Sequence, residues 1–347
     1  MPTTTGSRDG GSQTGLQPLA FSHQRRATAS TQFAACLSLI ASNRQPQSLP
    51  ANGSRLKAVA RVHVYLNGHY IPARDASISP LDRGFLFGDG IYEVVRVADG
   101  KLVEAARHWA RLGRSLREAR IERPLTLGDD DVSAIALRLL EENGLMKAHA
   151  IVYLQVTRGT FSPRTHHFPP AGTPPTVYAN AAAFTPFDSA RVAGVPVILA
   201  PDERWARCDI KTVNLLPNTM AKQRAVEAGA WETVFVRDGI VTEGTSSNCF
   251  AVIGGELRTH PSSHAILGGI TRDVTIDVAH TLGLTVVERA FTVAELEGAD
   301  EAFLTSTTND VMPIVRVDAG RIGSGEPGTV TKRISAAVQG RLYGGPT

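Results

Sequence analysis

Residues 208–218 read CDIKTVNLLPN and set one lysine, Lys211, among Ile210, Val213, Leu215 and Leu216. An apolar neighbourhood desolvates a cationic side chain and favours the neutral amine, the form that attacks a carbonyl carbon. The same residues also fit an edge-strand lysine whose stem covers apolar surface while its head stays in water. Which reading holds depends on what the flanking segments bring to this lysine.

On the N-terminal side, Val62, Val64 and Leu66 alternate with polar residues up to an Asn67-Gly68 turn, and Tyr70-Ile71 begins a return strand. Gly84, Gly88 and Gly90 punctuate a loop ahead of a β-branched strand over 91–97. Trp109, Leu112, Leu116 and Ala119 recur at helical spacing in a helix starting near Ala105, and a second helix spans roughly 127–143. Strands follow at 151–156 and 177–182, separated by a proline-rich loop over 161–175. Beyond a linker with Pro186 and Gly194, strands are expected near 195–200, 209–214, 232–237, 248–253 and 301–305. Helices are expected at 218–228, 271–282 and 328–342. Short mixed strands with interspersed helices predict an α+β chain, with a smaller domain over 61–185, a linker at 186–194 and a larger domain over 195–345. No G-x-G-x-x-G opens a helix after a strand, so a dinucleotide fold has no support.

Composition removes other classes. With 347 residues, 42% of them hydrophobic, the chain can bury a large core. A net charge of +3, much of it contributed by residues 1–60, is too small to argue for nucleic acid. No apolar run reaches membrane-spanning length, so no membrane partner is expected. Cys36, Cys208 and Cys249 are odd in number and widely spaced, which points to a reducing compartment such as the cytoplasm. Cys208 is expected to be a small apolar filler. Residues 1–60 are Ser-rich and Arg-containing with Asp9 the only acid, a composition shared by disordered tails and organellar transit peptides. His260 and His264 have the spacing of metal ligands on a helix, but Pro261 between them predicts a loop and no acid completes a site, so no metal is expected.

Four motifs, taken in order, carry a resemblance. CDIKTVNLLPN, VTEGTSSN (241–248), GGITRD (268–273) and LTSTT (304–308) resemble the fold-type IV pyridoxal-phosphate enzymes. That superfamily holds D-amino acid transaminases, branched-chain aminotransferases and aminodeoxychorismate lyases. The likeness runs from about residue 64 to about residue 333 and is nearest to the D-amino acid (D-alanine) transaminases. It implies a two-domain fold with pyridoxal 5′-phosphate at the domain junction, held as a Schiff base on Lys211. It also implies that Ile270, Thr271, Ser306 and Thr307 hold the phosphate, with Arg111 adding charge, and that Glu243 serves the pyridine nitrogen. Ser246, Ser247, Asn248 and Leu267 would shape the same pocket.

The residues support part of this independently. Gly268 and Gly269 precede an amphipathic helix, and a helix N-terminus offers unpaired N–H groups and partial positive charge to an anion. Thr271 also fits an ordinary N-cap, Arg111 a solvated helix residue, and Glu243 a turn residue. For the substrate carboxylate, the resemblance implies a trap of Tyr92, Arg164 and His166, in a loop with one extra residue, Phe161. Guanidinium, imidazole and phenol suit a carboxylate because charge-assisted hydrogen bonds are strong. Alone, Arg164 reads as a surface arginine and Tyr92 as a packed strand residue. The implied activity is transfer of the amino group of D-alanine to 2-oxoglutarate by a homodimer acting on small amino and 2-oxo acids. A branched-chain L-amino acid aminotransferase and an aminodeoxychorismate lyase are the alternatives, and the Arg164-x-His166 pair argues against both. Intact Lys211 and Glu243 argue against binding of the cofactor without turnover.

Overall fold

A computed structural model describes residues 62–124 and 126–344. Residues 1–60, with the expectation of a disordered or targeting extension, lie outside the described residues.

The first sheet has six strands: β1 His63–Leu66, β2 His69–Pro72, β3 Gly90–Ala98, β4 Lys101–Leu102, β5 Ala150–Thr157 and β6 Thr176–Ala183. Their order is β2-β1-β6-β5-β3-β4, with every neighbouring pair antiparallel. Two helices cover one face, α2 Ala105–Glu118 and α3 Asp129–Glu142, after a short α1 Arg83–Phe87. Alternation explains the core. Val95 and Val97 of β3 and Val152 and Leu154 of β5 pack with Leu112 and Leu116 of α2 and Leu139 and Leu140 of α3.

The second sheet holds β7 Val195–Pro201, β8 Glu232–Arg237, β9 Ile240–Gly244, β10 Asn248–Ile253, β11 Glu256–Thr259, β12 Val286–Glu288, β13 Glu301–Ser306, β14 Asp310–Val317 and β15 Gly320–Arg321. Its helices are α4 Asp188–Ala193, α5 Leu216–Glu227, α6 Ile270–Thr281, α7 Val293–Glu297 and α8 Thr329–Tyr343. The strand path β12-β11-β10-β13-β14-β7-β8-β9 turns back on itself where Glu243 of β9 pairs with Asn248 of β10. Both faces are buried, which accounts for the nearly continuous apolar runs. Phe250 and Phe303 stack at 4.9 Å beneath α6 and α8, whereas Cys249, Ala251, Ala302 and Leu304 face the opposite core.

Several sequence expectations are corrected. Residues 209–214 form no strand of the second sheet. They run as a loop tied to β3 by Tyr92 N–H to Lys211 O and Val213 N–H to Gly90 O, both 3.0 Å. The Gly84–Gly88 stretch contains α1, because Asp82 accepts from Gly84 N–H at its start and Gly88 closes it at φ 67°. The expected linker contains α4.

Candidate active site

Lys211 enters from the side of the first sheet. Its carbonyl and the Val213 amide are bonded to β3, and its own N–H donates to Ser115 Oγ of α2 at 3.3 Å. Its Nζ then lies 4.2 Å from the centroid of the Tyr92 ring. The apolar enclosure implied by the sequence is incomplete. Ile210 is buried, but Leu216 is 68% exposed at the start of α5, and Lys211 is half-buried at a cavity wall.

Glu243 lines the same cavity from the second sheet. The tight turn between β9 and β10 brings Asn248 Nδ2 to Glu243 Oε2 at 3.0 Å, and the same amide donates to Leu267 O at 2.8 Å. Leu267 N–H donates to both carboxylate oxygens, at 3.0 and 3.1 Å. Burial pushes the Glu243 carboxyl up to about 7, against the opposing pull of the Arg204 guanidinium and the Leu267 N–H. Arg204 Nη1 donates to Glu243 Oε1, and its Nε and Nη2 hold Asp202 at 2.9 Å each. Desolvation disfavours the Arg204 charge, and both carboxylates outweigh it.

The third wall holds a helix N-terminus. Helix α6 begins at Gly269 with no side chain capping it, so its first N–H groups open onto the cavity lined by Ile270 and Thr271. Arg111 of α2 donates from Nη1 to Gly268 O at 2.9 Å, which fixes a guanidinium at that helix end. Behind it, Arg111 grips Glu93 of β3 through Nε at 2.7 Å and Nη2 at 2.8 Å, and His108 Nδ1 lies 2.9 Å from the same carboxylate. Burial opposes the Glu93 charge, but Arg111 and His108 outweigh it and hold the carboxyl far below its ordinary range. Thr305, Ser306 and Thr307 complete this wall, and Thr305 Oγ1 is buried without a partner among the described residues.

One cavity thus brings together Lys211, Tyr92, Arg111, Glu243, Ser246, Ser247, Asn248, Leu267, Ile270, Thr271, Ser306 and Thr307. Arg164 and His166 lie outside that lining. Both are exposed and flank Phe87, with Arg164 Cζ 4.4 Å and the His166 ring 5.6 Å from its centroid. Their loop is anchored by Arg83, which donates to Thr165 O at 2.8 Å. Sequence reasoning missed Arg204 altogether. The signal was an arginine close before the lysine, but its carboxylate partner lies 39 residues further on. His260 and His264 occupy a loop.

The family model for amino-transferase class IV matches residues 90–317. The D-alanine aminotransferase of Bacillus licheniformis is 40% identical over 279 residues, covering 80% of this chain and 96% of that protein. Among solved structures, the branched-chain amino acid aminotransferase of Escherichia coli superposes with a TM-score of 0.74 at 26% identity, covering 82% of this chain and 95% of that one. The T.th. branched-chain amino acid aminotransferase complexed with N-(5′-phosphopyridoxyl)-L-glutamate matches with a TM-score of 0.73 at 25% identity, covering 82% and 95%. No helix among the described residues is long and apolar enough to cross a membrane.

Proposed function

The chain belongs to the amino-transferase class IV family, and from that premise we propose that it is a D-amino acid transaminase that uses pyridoxal 5′-phosphate to move the amino group of D-alanine to 2-oxoglutarate. The observation that carries this reading is the convergence of a lysine, a buried glutamate and an uncapped helix N-terminus on one cavity. The residues fit the cofactor. The open first turn of α6 borders the region a phosphate would fill, Thr305 with its unpartnered hydroxyl belongs to the same wall, and Arg111 adds a fixed positive charge there. The two sheet-bearing halves, 61–185 and 195–345, would meet around it, with 186–194 between them.

When bound, pyridoxal 5′-phosphate supplies a ring that withdraws the electron pair left at the substrate Cα after its C–H bond breaks. Ile270, Thr271, Ser306 and Thr307 would bind the phosphate. Glu243 would hold a proton at the ring nitrogen, and Arg204, Asn248 and the Leu267 N–H would orient its carboxylate for that task. Ser246 and Ser247 would shape the pocket edge. Lys211 would carry the cofactor through its ε-amine, and Nζ, once displaced by substrate, would take the Cα proton as general base.

The substrate carboxylate would be bound by Tyr92 together with Arg164 and His166. The last two lie outside this chain's own cavity, which supports a homodimer in which they serve the neighbouring site. Initial rates with 2-oxoglutarate test the assignment. D-alanine is expected to be the faster donor, and faster turnover of L-leucine would replace it with the branched-chain alternative.

A further inference from the structure

Beside the 306–309 loop, side chains from three elements converge on one carboxylate. Asp310 opens β14 directly after that loop, in the left-handed region at φ 53°, and pairs across the hairpin with Ser306. Arg96 of β3 donates from Nη1 to both carboxylate oxygens at 3.0 Å. Arg191 of α4 donates from Nη2 at 3.2 Å, and the Tyr343 hydroxyl at the end of α8 donates at 2.6 Å. The Arg96 guanidinium is sandwiched between the Phe184 and Tyr343 rings, at 4.9 and 4.7 Å from their centroids. Burial, and then the Asp310 carboxylate, keep the Tyr343 phenol protonated and therefore a donor.

Stability alone does not account for such a cluster. Arg96 Nε and Arg191 Nε are buried without partners among the described residues. Apolar packing of similar volume often stabilises a fold as much as a buried ion pair does. What directional donors provide, and apolar packing does not, is a carboxylate fixed in three dimensions. Its position matters because the loop it terminates is short and internally tied, with Asn309 N–H donating to Ser306 Oγ at 3.0 Å. A second observation joins the cluster to the wall at the start of α6. Arg96 and Tyr343 line one small cavity together with His108, Thr271 and Thr307.

We propose that Asp310, held by Arg96, Arg191 and Tyr343, is a positioning residue that sets the placement of the Ser306 and Thr307 donors and hence the affinity of the chain for the cofactor's phosphate. The inference rests on the cofactor reading above. It assigns none of these four residues a contact with cofactor or substrate.

The test is binding, measured apart from turnover. Full-length chain stripped of cofactor is titrated by absorbance with pyridoxal 5′-phosphate and, separately, with pyridoxal, which lacks the phosphate. Tyr343→Phe is expected to weaken pyridoxal 5′-phosphate binding by about tenfold, the lower end of the net worth of one hydrogen bond to a charged group, and to leave pyridoxal binding unchanged. Asp310→Asn is expected to show the same selectivity with a larger loss. Equal weakening of both compounds, or no weakening of either, overturns the proposal. If Asp310→Asn does not fold, Tyr343→Phe decides alone, since it removes a single hydroxyl. Wild-type chain that takes up neither compound overturns the functional reading, and the inference with it; wild-type binding without phosphate selectivity in the variants overturns the inference only.

Discussion

Glu93 sits beside Tyr92 on β3, yet the two side chains serve opposite faces of the strand, as period-two alternation requires. Tyr92 meets Lys211, while Glu93 is buried against Arg111 and His108. Replacing one partner of a buried ion pair leaves the other charge uncompensated, so Glu93→Gln is expected to cost about 3 kcal/mol near pH 7. The folded carboxyl lies below its ordinary value of 4.5, so its stabilisation is complete above that pH and is lost as pH falls. The gap between the denaturation midpoints of wild type and variant should therefore begin to narrow below pH 4.5 and keep narrowing as pH falls; a gap as wide at pH ~3 as at pH ~7 would refute the pairing. Lys211 and Glu243 were legible as candidates because each sits in a local motif, and both line the same cavity. Arg204 was not, because its role comes from Asp202 and Glu243 together, and only the folded sheet places those two carboxylates on one guanidinium. Likewise, Lys211's apolar neighbours in sequence gave no sign that Leu216 turns outward.

The N-terminus of α6 shows what an element contributes beyond its residues. The spacing predicts a helix over 271–282, and Ile270–Thr281 is observed, because Val274 and Val278 form a clear apolar face. Its cap was not readable: Thr271 offered itself as an N-cap, but Gly269 holds that position. A Cβ on Gly269 would collide with Asn248 Oδ1, and Asn248 is the amide that links Glu243 to Leu267. Gly269→Ala is therefore expected to cost about 1–3 kcal/mol through overpacking and to weaken cofactor binding in an absorbance titration; unchanged affinity would contradict this link. Strand β9 escaped notice because Thr242 and Glu243 interrupt its apolar pattern, and β14 because Pro313 argues against a strand. Residues 209–214 were misassigned for a related reason: their β-like text pairs with β3 through one isolated bridge, Thr212 to Ile91.

At the scale of the molecule, the motif order pointed to a site at a domain junction, but the individual contacts that join the two sheets there had no local sequence pattern. Arg111 reaches Gly268 across 157 residues, and no local pattern encodes that contact. Assembly is also a whole-molecule property. If Arg164 serves the neighbouring cavity, co-expressed Lys211→Ala and Arg164→Ala chains should recover about a quarter of wild-type activity, since half the dimers are mixed and each mixed dimer has one intact site; no recovery would mean that each site is complete within one chain. The claim beneath all of this is that one amine carries the cofactor. Borohydride reduction of the pyridoxal 5′-phosphate-loaded protein, followed by peptide mass mapping, should find the pyridoxyl mark on Lys211; an unmarked Lys211, or a mark confined to another lysine such as Lys222, would contradict the account.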